Sequence, residues 1–404
     1  MKNKYWVLSL LSLLSIITFL DRNAISLAGQ RITGELGLSE GQFGWILSAF
    51  TIAYGLFEIP TGQMGDRYGA RRILARVVLW WSFFTMLTGF VGGFISLFFV
   101  RFLFGAGEAG AYPNTAVAIR QWFASVEHGR AMAMIWMSSR LGGALAPLLV
   151  IPLQINFGWR TSFYVLGVIG IAWAILWWWG YQEPERPAVK TSVDQNPTHL
   201  WRQWLSNRNF WMLMVMYFCY ASGVFFFISW LPKYLQNGRG MTEGELVYSA
   251  SLPWILAAVG CMTGGAISDY LVSRIGLNWG RRLVPLIGLS LSGVLMLATV
   301  YTPNNTQAVI YLALGMAFMD VTAPVAWAVA TDLGGKASGA FTGAMNTAGL
   351  LGGTVTSIGV GYLITSFKSY DVPVIILGIT LIVGGLLWFL IKADERADTT
   401  SVAP

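Results

Sequence analysis

GQMGDRYGARR, residues 62–72, is a short charged segment rich in glycine that separates two long apolar runs. The second half of the chain has a related segment at the corresponding place, GGAISDYLVSRIGLNWGRR (264–282), in which an aspartate again precedes paired arginines. A second pair of similar segments consists of HGRAMAMIWMSSRLGGALAP (128–147) and GGKASGAFTGAMNTAGLLGG (334–353). These repeats predict a protein built from two related halves that share one orientation.

The composition around these segments is that of a membrane protein. Hydrophobic residues make up 55% of the 404 residues, charged residues only 11%, and the mean hydropathy is +0.59. In soluble domains, by contrast, about a quarter of the residues are charged. A helical crossing needs about 20 mostly apolar residues. We therefore predict an all-α membrane protein with twelve transmembrane helices, at 5–30, 41–62, 73–93, 95–119, 131–152, 159–182, 209–235, 245–268, 283–302, 307–331, 338–366 and 372–391.

A polar interval divides these runs into six and six. Residues 183–208 include three prolines and charges of both signs, which is a composition typical of a linker. The first apolar run has no small-residue cleavage site, so we expect it to remain as a span. The predicted organisation is an N-terminal six-helix bundle at 1–182, a cytoplasmic linker at 183–208, a C-terminal six-helix bundle at 209–392 and a cytoplasmic tail at 393–404.

The net charge of +7 indicates membrane orientation rather than nucleic-acid binding. The basic residues fall in short clusters at span ends, and the larger clusters lie on one side if the spans alternate. Because lysine and arginine favour the cytoplasmic side of a membrane, both termini and the linker are predicted to be cytoplasmic. The clusters contain Lys2 and Lys4, Arg67, Arg71 and Arg72, Arg120 and Arg130, Arg186 to Arg208, Arg274, Arg281 and Arg282, Lys336, and Lys392 with Arg396.

The segment at 62–72 resembles the loop signature of the major facilitator superfamily, and it lies between the second and third spans as in that family. Five further segments, spread over nearly the whole chain, resemble the anion:cation symporter branch, which includes bacterial sugar-acid transporters, sialin and the vesicular glutamate transporters. The resemblance implies two pseudo-symmetric bundles and an alternating-access carrier for organic anions, with a substrate site between the halves. The five segments are FLDRNAISLA (19–28), SAFTIAYGLFEIPTG (48–62), RFLFGAGEAGAYPN (101–114), SWLPKYL (229–235) and GAMNTAGLLGG (343–353).

Arg101 and Glu108 lie within one apolar run, where an ionisable group costs several kcal/mol. Seven residues are nearly two helical turns, so both side chains project from one face, about 10 Å apart along the axis. An anion and a proton could be handled at this pair together, so we assign Arg101 to substrate binding. We interpret Glu108 as a proton-coupling residue that exchanges Arg101 for another partner during transport. A permanent structural ion pair with Arg101 is the alternative.

Asp21 and Arg22 are the other adjacent charges in a span. Arg22 is the leading anchor for a substrate anion, because a guanidinium binds a carboxylate through two parallel hydrogen bonds. Its long stem could instead reach the lipid headgroups. Asp21 points about 100° away around the helix and acts either in a structural ion pair or, as the resemblance implies, as a proton carrier. Both histidines lie outside the spans, so proton coupling would rest on carboxylates, of which Glu58 and Asp320 are the remaining embedded ones.

Three further residues are assigned to substrate binding through the resemblance. Tyr54 and Asn346 match positions that contact substrate in the branch, although Tyr54 could equally be an interfacial packing residue. Arg140 occupies a place where several sugar-acid carriers have glutamine. This added cation could bind a second carboxylate of the substrate, favour a more acidic substrate, or form a salt bridge with Glu108. The alternative is a structural ion pair.

The glycine-rich charged segments are assigned to gating. Aspartates followed by clustered arginines can form cytoplasmic salt bridges between span ends, which hold the outward-open state and break as the carrier opens inward. The gating residues are Asp66, Arg67, Arg71, Asp269 and Arg281.

These observations predict a secondary active transporter that moves a sugar acid, such as an aldonate, aldarate or hexuronate, by proton-coupled symport. A proton-independent facilitator or exchanger, or a carrier of small dicarboxylic or aromatic acids, is the alternative. The chain has no histidine or cysteine cluster and no H-E-x-x-H or G-x-S-x-G motif, so we expect no enzyme activity, metal or cofactor. We expect a monomer in the bacterial inner membrane whose partners are a small organic anion, protons and lipid, without nucleic acid.

Overall fold

The structure, a computed structural model, describes residues 4–124, 127–183, 203–335 and 338–393, apart from the side chain of Asp66. In these ranges the regular elements are all helical. The first half contains α1 (Lys4–Leu27), α2 (Gly29–Leu36), α3 (Glu40–Tyr68), α4 (Ala70–Thr88), α5 (Phe94–Glu108), α6 (Ala111–Trp122), α7 (His128–Phe157) and α8 (Trp159–Gly180).

The second half begins with α9 (Arg208–Ser229), which leads through a short turn at Leu231–Lys233 into a π-helical turn at Tyr234–Gly238. The remaining helices are α10 (Glu243–Ile275), α11 (Leu277–Tyr301), α12 (Asn305–Asp320), α13 (Thr322–Gly334), α14 (Ser338–Phe367) and α15 (Asp371–Leu386), followed by a 3₁₀ turn at Leu387–Phe389.

Eleven helical segments of the described ranges are long and apolar enough to cross a membrane, when α5 with α6 and α12 with α13 are each taken as one crossing. The predicted third span corresponds to α4, a 19-residue helix that is not among the eleven. Three arginines, at positions 71, 72 and 76, lie in its first two turns. The twelfth crossing and the cytoplasmic location of the termini stay predictions.

The fourth span of each half is interrupted, where the sequence indicated a continuous helix. In the first half the break follows Glu108, and in the second it follows Asp320. Each continuing helix has a proline in its first turn, Pro113 or Pro324. A proline is tolerated there because its missing N–H has no partner within the helix. The two breaks place a buried carboxylate at the end of each leading helix.

The turn before α3 shows how local sequence sets helix boundaries. Gly37 adopts a left-handed conformation with φ of 63° and ends α2. Ser39 then caps α3: its hydroxyl accepts a hydrogen bond from the amide of Gln42 at 3.2 Å, and the Ser39 amide donates to the Gln42 side chain at 3.0 Å. This reciprocal capping box fixes the start of α3, and therefore the position of Glu40 in its first turn.

The described residues belong to two compact units. Unit 1 is formed from Met1–Pro187, Phe226–Ile255 and Ser357–Tyr370, and unit 2 from Ala188–Phe225, Leu256–Thr356 and Asp371–Pro404. Unit 1 therefore includes segments from both halves of the sequence.

Within each unit, glycines bring helix backbones into direct contact. In unit 1, a Cβ on Gly142 of α7 would lie 2.5 Å from the carbonyl oxygen of Ile16 in α1, and one on Gly105 of α5 would lie 2.6 Å from that of Phe50 in α3. In unit 2, a Cβ on Gly293 of α11 would lie 2.3 Å from the carbonyl oxygen of Gly378 in α15. Small residues at such contacts are typical of helix packing in membranes.

We expect Gly142→Ala to lower the melting temperature of the purified protein, because the added methyl group must push α1 away from α7. Overpacking of this kind costs about 1–3 kcal/mol. Gly129→Ala is the matched control on the same helix, since a Cβ at that position has no atom within 4 Å. Thermal unfolding in detergent compares the two variants. Equal melting temperatures would contradict the close contact between α1 and α7.

Candidate functional site

Unit 1 contains a cluster of buried charges contributed by α1 and α5. Asp21 is 1% exposed, Arg101 2% and Glu108 0%, and the side chain of Arg22 is 11% exposed. Arg101 lies within electrostatic reach of the other three charges. The structure therefore brings together four residues that the sequence assigned to substrate binding and proton coupling.

Glu108 is bound by Arg22, whose Nε donates a hydrogen bond to Glu108 Oε1. The sequence suggested Arg101 as the partner of Glu108, but Arg101 makes only a longer-range electrostatic interaction with it. The physical reason is that residues two turns apart on one helix are too distant to touch, whereas a side chain on a neighbouring helix can reach across. The ion pair ties α1 to α5.

Four aromatic rings surround the guanidinium of Arg22. Its Cζ lies 5.0 Å from the ring centroid of Tyr54, 5.1 Å from Phe50, 5.3 Å from Phe19 and 5.7 Å from Tyr112. Rings at this distance stabilise a cation, and Tyr54 itself is buried. Tyr54 is thus part of the wall around the proposed anion anchor.

Part of the hydrogen-bonding capacity of the Arg22 and Glu108 pair is unused. The Nη2 of Arg22 and the Oε2 of Glu108 are both buried and have no hydrogen-bond partner in the structure. Arg101 is similar: its Cζ lies 4.1 Å from the ring of Phe104, while its Nε has no hydrogen-bond partner. Two guanidinium groups with unsatisfied donors in one dry region can bind an anion through charge-assisted hydrogen bonds.

Arg140 approaches the same cluster from α7. It is buried, and its Cζ lies 5.8 Å from the ring of Phe19, the ring that also faces Arg22. Arg140 is thus a third guanidinium on the aromatic wall of the site.

A hydroxyl network beside the cluster was not predicted from the sequence. Ser15 and Ser139 lie 2.6 Å apart through their Oγ atoms, and the hydroxyl of Tyr112 lies 3.1 Å from Ser15 and 2.8 Å from Ser139. Tyr112 also stacks on Trp136, with ring centroids 5.0 Å apart. The network joins α1, α6 and α7. The signal available in the sequence was Tyr112 itself, which lies four residues after Glu108.

Unit 2 contains the remaining predicted binding residue, Asn346, which is half-buried on α14. The same unit holds Asp320, which is fully buried and accepts a hydrogen bond from the hydroxyl of Tyr220 at 2.8 Å. Asp320 therefore has a neutral hydrogen-bond donor, whereas Glu108 in unit 1 has a cationic one.

The two glycine-rich charged segments make different contacts. In the second, Arg281 donates to Asp269 at 2.7 Å and to Ser268 Oγ at 3.1 Å, which joins the end of α10 to the start of α11. In the first, Arg71 donates from Nη2 to the carbonyl oxygen of Trp178 at 2.6 Å and lies over its ring. Arg67 lies over the ring of Tyr68, with its Cζ 5.2 Å from the centroid. The predicted gating contacts of Asp66 lie outside the described side chains.

A second polar network occurs in unit 1 at the start of α3, and we call it the Glu40 network. Lys233 is 0% exposed, and its Nζ donates to both Glu40 oxygens at 2.8 and 2.6 Å and to Thr33 Oγ1 at 3.2 Å. The hydroxyl of Tyr370 donates to Glu40 at 3.1 Å and accepts from Asn237 at 3.0 Å. Burial lowers the pKa of Lys233 against the opposite effect of Glu40, and burial raises the pKa of Tyr370 to about 12.

Close backbone packing surrounds the Glu40 network. A Cβ on Gly44 of α3 would lie 2.5 Å from the carbonyl oxygen of Ser357, and one on Gly361 of α14 would lie 2.4 Å from that of Glu40. The indole of Trp230 donates to the carbonyl of Ser357 at 3.2 Å. This end of unit 1 therefore joins segments from both halves of the sequence without space between them.

The buried charged groups that α1, α5 and α7 contribute are carboxylates and guanidinium groups. Among the described residues, no group of three or more histidine, cysteine, aspartate or glutamate side chains could hold a metal ion. The cluster instead combines carboxylates with guanidinium groups inside a wall of aromatic rings.

Comparison with known proteins gives a consistent result. The sequence profile of the Major Facilitator Superfamily matches residues 11–355. The chain is 32% identical to a probable sulfoacetate transporter, SauU, of Cupriavidus necator, over 98% of this chain and 96% of that protein. It is 30% identical to the hexuronate transporter of Bacillus subtilis, over 98% and 94%, and 30% identical to a probable galactarate/D-glucarate transporter, GarP, of Escherichia coli, over 97% and 95%.

The fold is also that of a solved structure. A bacterial homolog of the human lysosomal transporter Spinster, in an inward-facing and unoccupied conformation, superimposes with a TM-score of 0.82 and 19% sequence identity, covering 96% of both chains. The profile match, the similarity along nearly the full length to bacterial transporters and the eleven apolar helical segments show a multi-pass transporter of the bacterial cell membrane. The resemblance noted in the sequence is thereby confirmed, and the chain belongs to the Major Facilitator Superfamily.

Proposed function

We propose that this protein is a symporter that moves a small organic anion of the sugar-acid class, an aldonate, aldarate or hexuronate, together with protons. The observation that carries the proposal is the buried bond between Arg22 and Glu108, which joins a potential anion anchor directly to a potential proton acceptor. The names of the relatives, which include hexuronate and galactarate/D-glucarate transporters, support the substrate class.

Competition for Arg22 would couple the proton to the anion. A substrate carboxylate can form two parallel hydrogen bonds with the guanidinium, but only if Glu108 gives up its own bond. Protonation of Glu108 removes its charge and releases Arg22 for the substrate. By linkage, substrate bound to Arg22 then favours protonation of Glu108 to the same extent.

The surrounding residues supply further contacts in this scheme. Arg101 and Arg140 offer additional positive charge, and the hydroxyls of Tyr54 and Tyr112 suit the hydroxyl groups of a sugar acid. Asn346 on α14 stays a predicted substrate-binding residue. Asp21 would carry a second proton.

Alternating access would require one side of the protein to close while the other opens. The distribution of lysine and arginine predicts that the Glu40 network lies on the outer side. The network would hold that side closed through Lys233, whose charge is buried and bonded to Glu40. The bridge between Asp269 and Arg281 would act at the cytoplasmic side.

A second function is favoured if the bond between Arg22 and Glu108 persists through the whole cycle. Glu108 would then never exchange a proton, and the protein would be a proton-independent facilitator or anion exchanger. Proton movement in reconstituted vesicles separates the two functions.

We expect addition of galactarate, glucarate or a hexuronate to proteoliposomes of the wild-type protein to alkalinise the external medium, because protons enter with the anion. Glu108→Gln, which mimics a permanently protonated side chain, should lose accumulation driven by a pH gradient and keep substrate exchange. A pH electrode and radiolabelled substrate measure both quantities.

Empty liposomes and the exposed variant Arg208→Lys serve as controls for leak and for reconstitution. Uptake without alkalinisation by the wild-type protein would establish the facilitator or exchanger instead. Full accumulation by Glu108→Gln would remove Glu108 from the coupling role.

We expect Arg22→Lys to reduce uptake about tenfold or more. An ammonium group cannot form two parallel bonds with a carboxylate, and loss of one charged hydrogen bond is worth about 1.5–3 kcal/mol. Initial rates of uptake are compared at equal amounts of reconstituted protein, with Arg208→Lys as the matched substitution at an exposed arginine. Wild-type uptake by Arg22→Lys would exclude Arg22 as the anion anchor.

We expect Lys233→Met to open the outer side more often, because Glu40 loses the cation that neutralises it in the closed state. Accessibility is measured with a membrane-impermeant thiol reagent, using Ser357→Cys in a protein that carries Cys219→Ser and Cys261→Ser. The labelling rate should rise several-fold. Lys368→Met, at an exposed lysine, is the control and should leave the rate unchanged. Equal rates in the two lysine variants would argue against closure by the Glu40 network.

A further inference from the structure

Asp21 lies on α1 with both carboxylate oxygens buried and without a hydrogen-bond partner in the structure. Two donors on α4 face it: the indole of Trp81 and the hydroxyl of Thr85. These residues are four apart and therefore lie on the same face of the helix, one turn from each other. Both side chains are buried, and neither Trp81 Nε1 nor Thr85 Oγ1 has a hydrogen-bond partner.

Unsatisfied groups of opposite type, buried side by side, call for a functional explanation. A buried donor or acceptor without a partner costs about 1–3 kcal/mol, and here one acceptor group and two donors carry that cost next to each other. Trp81 and Thr85 are close enough to Asp21 to interact with its carboxylate, although no full hydrogen bond is formed. The arrangement is that of a carboxylate beside two donors that suit its ionised form.

The chemistry of these two donors selects the ionised form of Asp21. An indole N–H can only donate a hydrogen bond, and the Thr85 hydroxyl can donate one as well. From α5, Arg101 acts on Asp21 as a cation and Glu108 as a like charge, while the neighbouring Arg22 is bonded to Glu108. Donors of this kind do not suit a metal cation, but they stabilise a carboxylate.

We propose that Trp81 and Thr85 form a receiving pocket for the deprotonated carboxylate of Asp21 and so position it for proton release. In this step the O–H bond of the Asp21 carboxylic acid breaks and its proton passes to water. The carboxylate keeps the electron pair and accepts hydrogen bonds from Trp81 Nε1 and Thr85 Oγ1. The inference rests on the proposed proton coupling and adds two positioning residues to it.

The pocket affects net transport and exchange differently. Net proton-driven uptake requires Asp21 to lose its proton in every cycle, so weaker donors slow that process. Exchange of substrate across the membrane occurs with the carrier loaded and does not need proton release. A general packing role for Trp81 and Thr85 would affect both activities alike.

The test compares Thr85→Val and Trp81→Phe with Ser82→Ala in proteoliposomes. Ser82 is the matched control because it is also buried on α4 without a hydrogen-bond partner, but of these three residues only Trp81 and Thr85 act on Asp21. A Cβ on Gly170 of α8 would lie 2.0 Å from Ser82 Oγ and 3.7 Å from Trp81 Nε1. Uptake driven by a pH gradient, galactarate counterflow and the ratio of protons to substrate are measured for each protein over a range of pH.

We expect Thr85→Val to lower proton-driven uptake about tenfold, since one hydrogen bond to a charged group is worth about 1.5–3 kcal/mol. Its pH profile should move to more alkaline values and its proton-to-substrate ratio should fall, while counterflow stays within about twofold of wild type. Trp81→Phe should act in the same direction. Thr85→Ser, which keeps the hydroxyl, should retain the wild-type pH profile, and Ser82→Ala should retain it as well.

The inference would be overturned if both Thr85→Val and Trp81→Phe kept the wild-type pH profile and proton-to-substrate ratio. It would also be overturned if Ser82→Ala changed the profile and the ratio as much as Thr85→Val does. If either variant fails to fold, the comparison between Thr85→Ser and wild type still decides, because loss of the profile despite a retained hydroxyl contradicts the pocket. Failure of the proposed function looks different: the wild-type protein itself would then move substrate without protons.

Discussion

Arg22 and Glu108 are bonded to each other where neither has bulk water to replace its partner, and much of the site follows from that constraint. Removing one member of a buried ion pair costs about 3–5 kcal/mol. Neither group can therefore be left alone while the protein changes conformation. In the proposed cycle the substrate anion binds Arg22 in place of Glu108. This exchange occurs only when Glu108 is protonated and no longer needs Arg22 as a partner. Tight coupling would then follow from electrostatics, because the half-exchanged states are too unfavourable to be populated.

The packing of unit 1 buries most of this region in the conformation described. Gly105 allows α5 to approach the backbone of α3 closely, and the rings of Phe50 and Phe104 fill the space beside Arg101. Water exclusion strengthens each charge interaction in the cluster. The same burial makes the unsatisfied donors on α4 beside Asp21 unfavourable, so their presence there is informative about function.

Features governed by local sequence were predictable, and contacts between distant segments were not. Long apolar runs gave the positions of the membrane helices, and charges inside those runs identified Asp21, Arg22, Arg101 and Glu108 as a group. The partner of Glu108 depended on how α1 and α5 pack, which no spacing along one helix reveals. Lys233 stood within SWLPKYL, a segment already noted, yet its role in the Glu40 network requires contacts with residues that are far away in sequence.

The interruption of the fourth span also depends on three-dimensional context. Ala109 and Gly110 lie at the first break and Val321 at the second, and of these only glycine is a poor helix former. Prolines 113 and 324 were the signal common to both halves, and each is compatible with both a kink and a new first turn. Tyr112 and Ser139 were missed for a related reason. Their hydroxyls lie 2.8 Å apart on α6 and α7, and a contact between separate helices is not revealed by the spacing along either one.

The recurrence of the break after Glu108 and after Asp320 has a consequence for the ancestry of the chain. Duplication of one six-helix unit would leave the same acidic helix end in both halves, and that is the observed pattern. The group that bonds the acid differs between the halves: it is arginine in the first and tyrosine in the second. Related helix ends therefore provide a charged partner for the acid in one half and a neutral partner in the other.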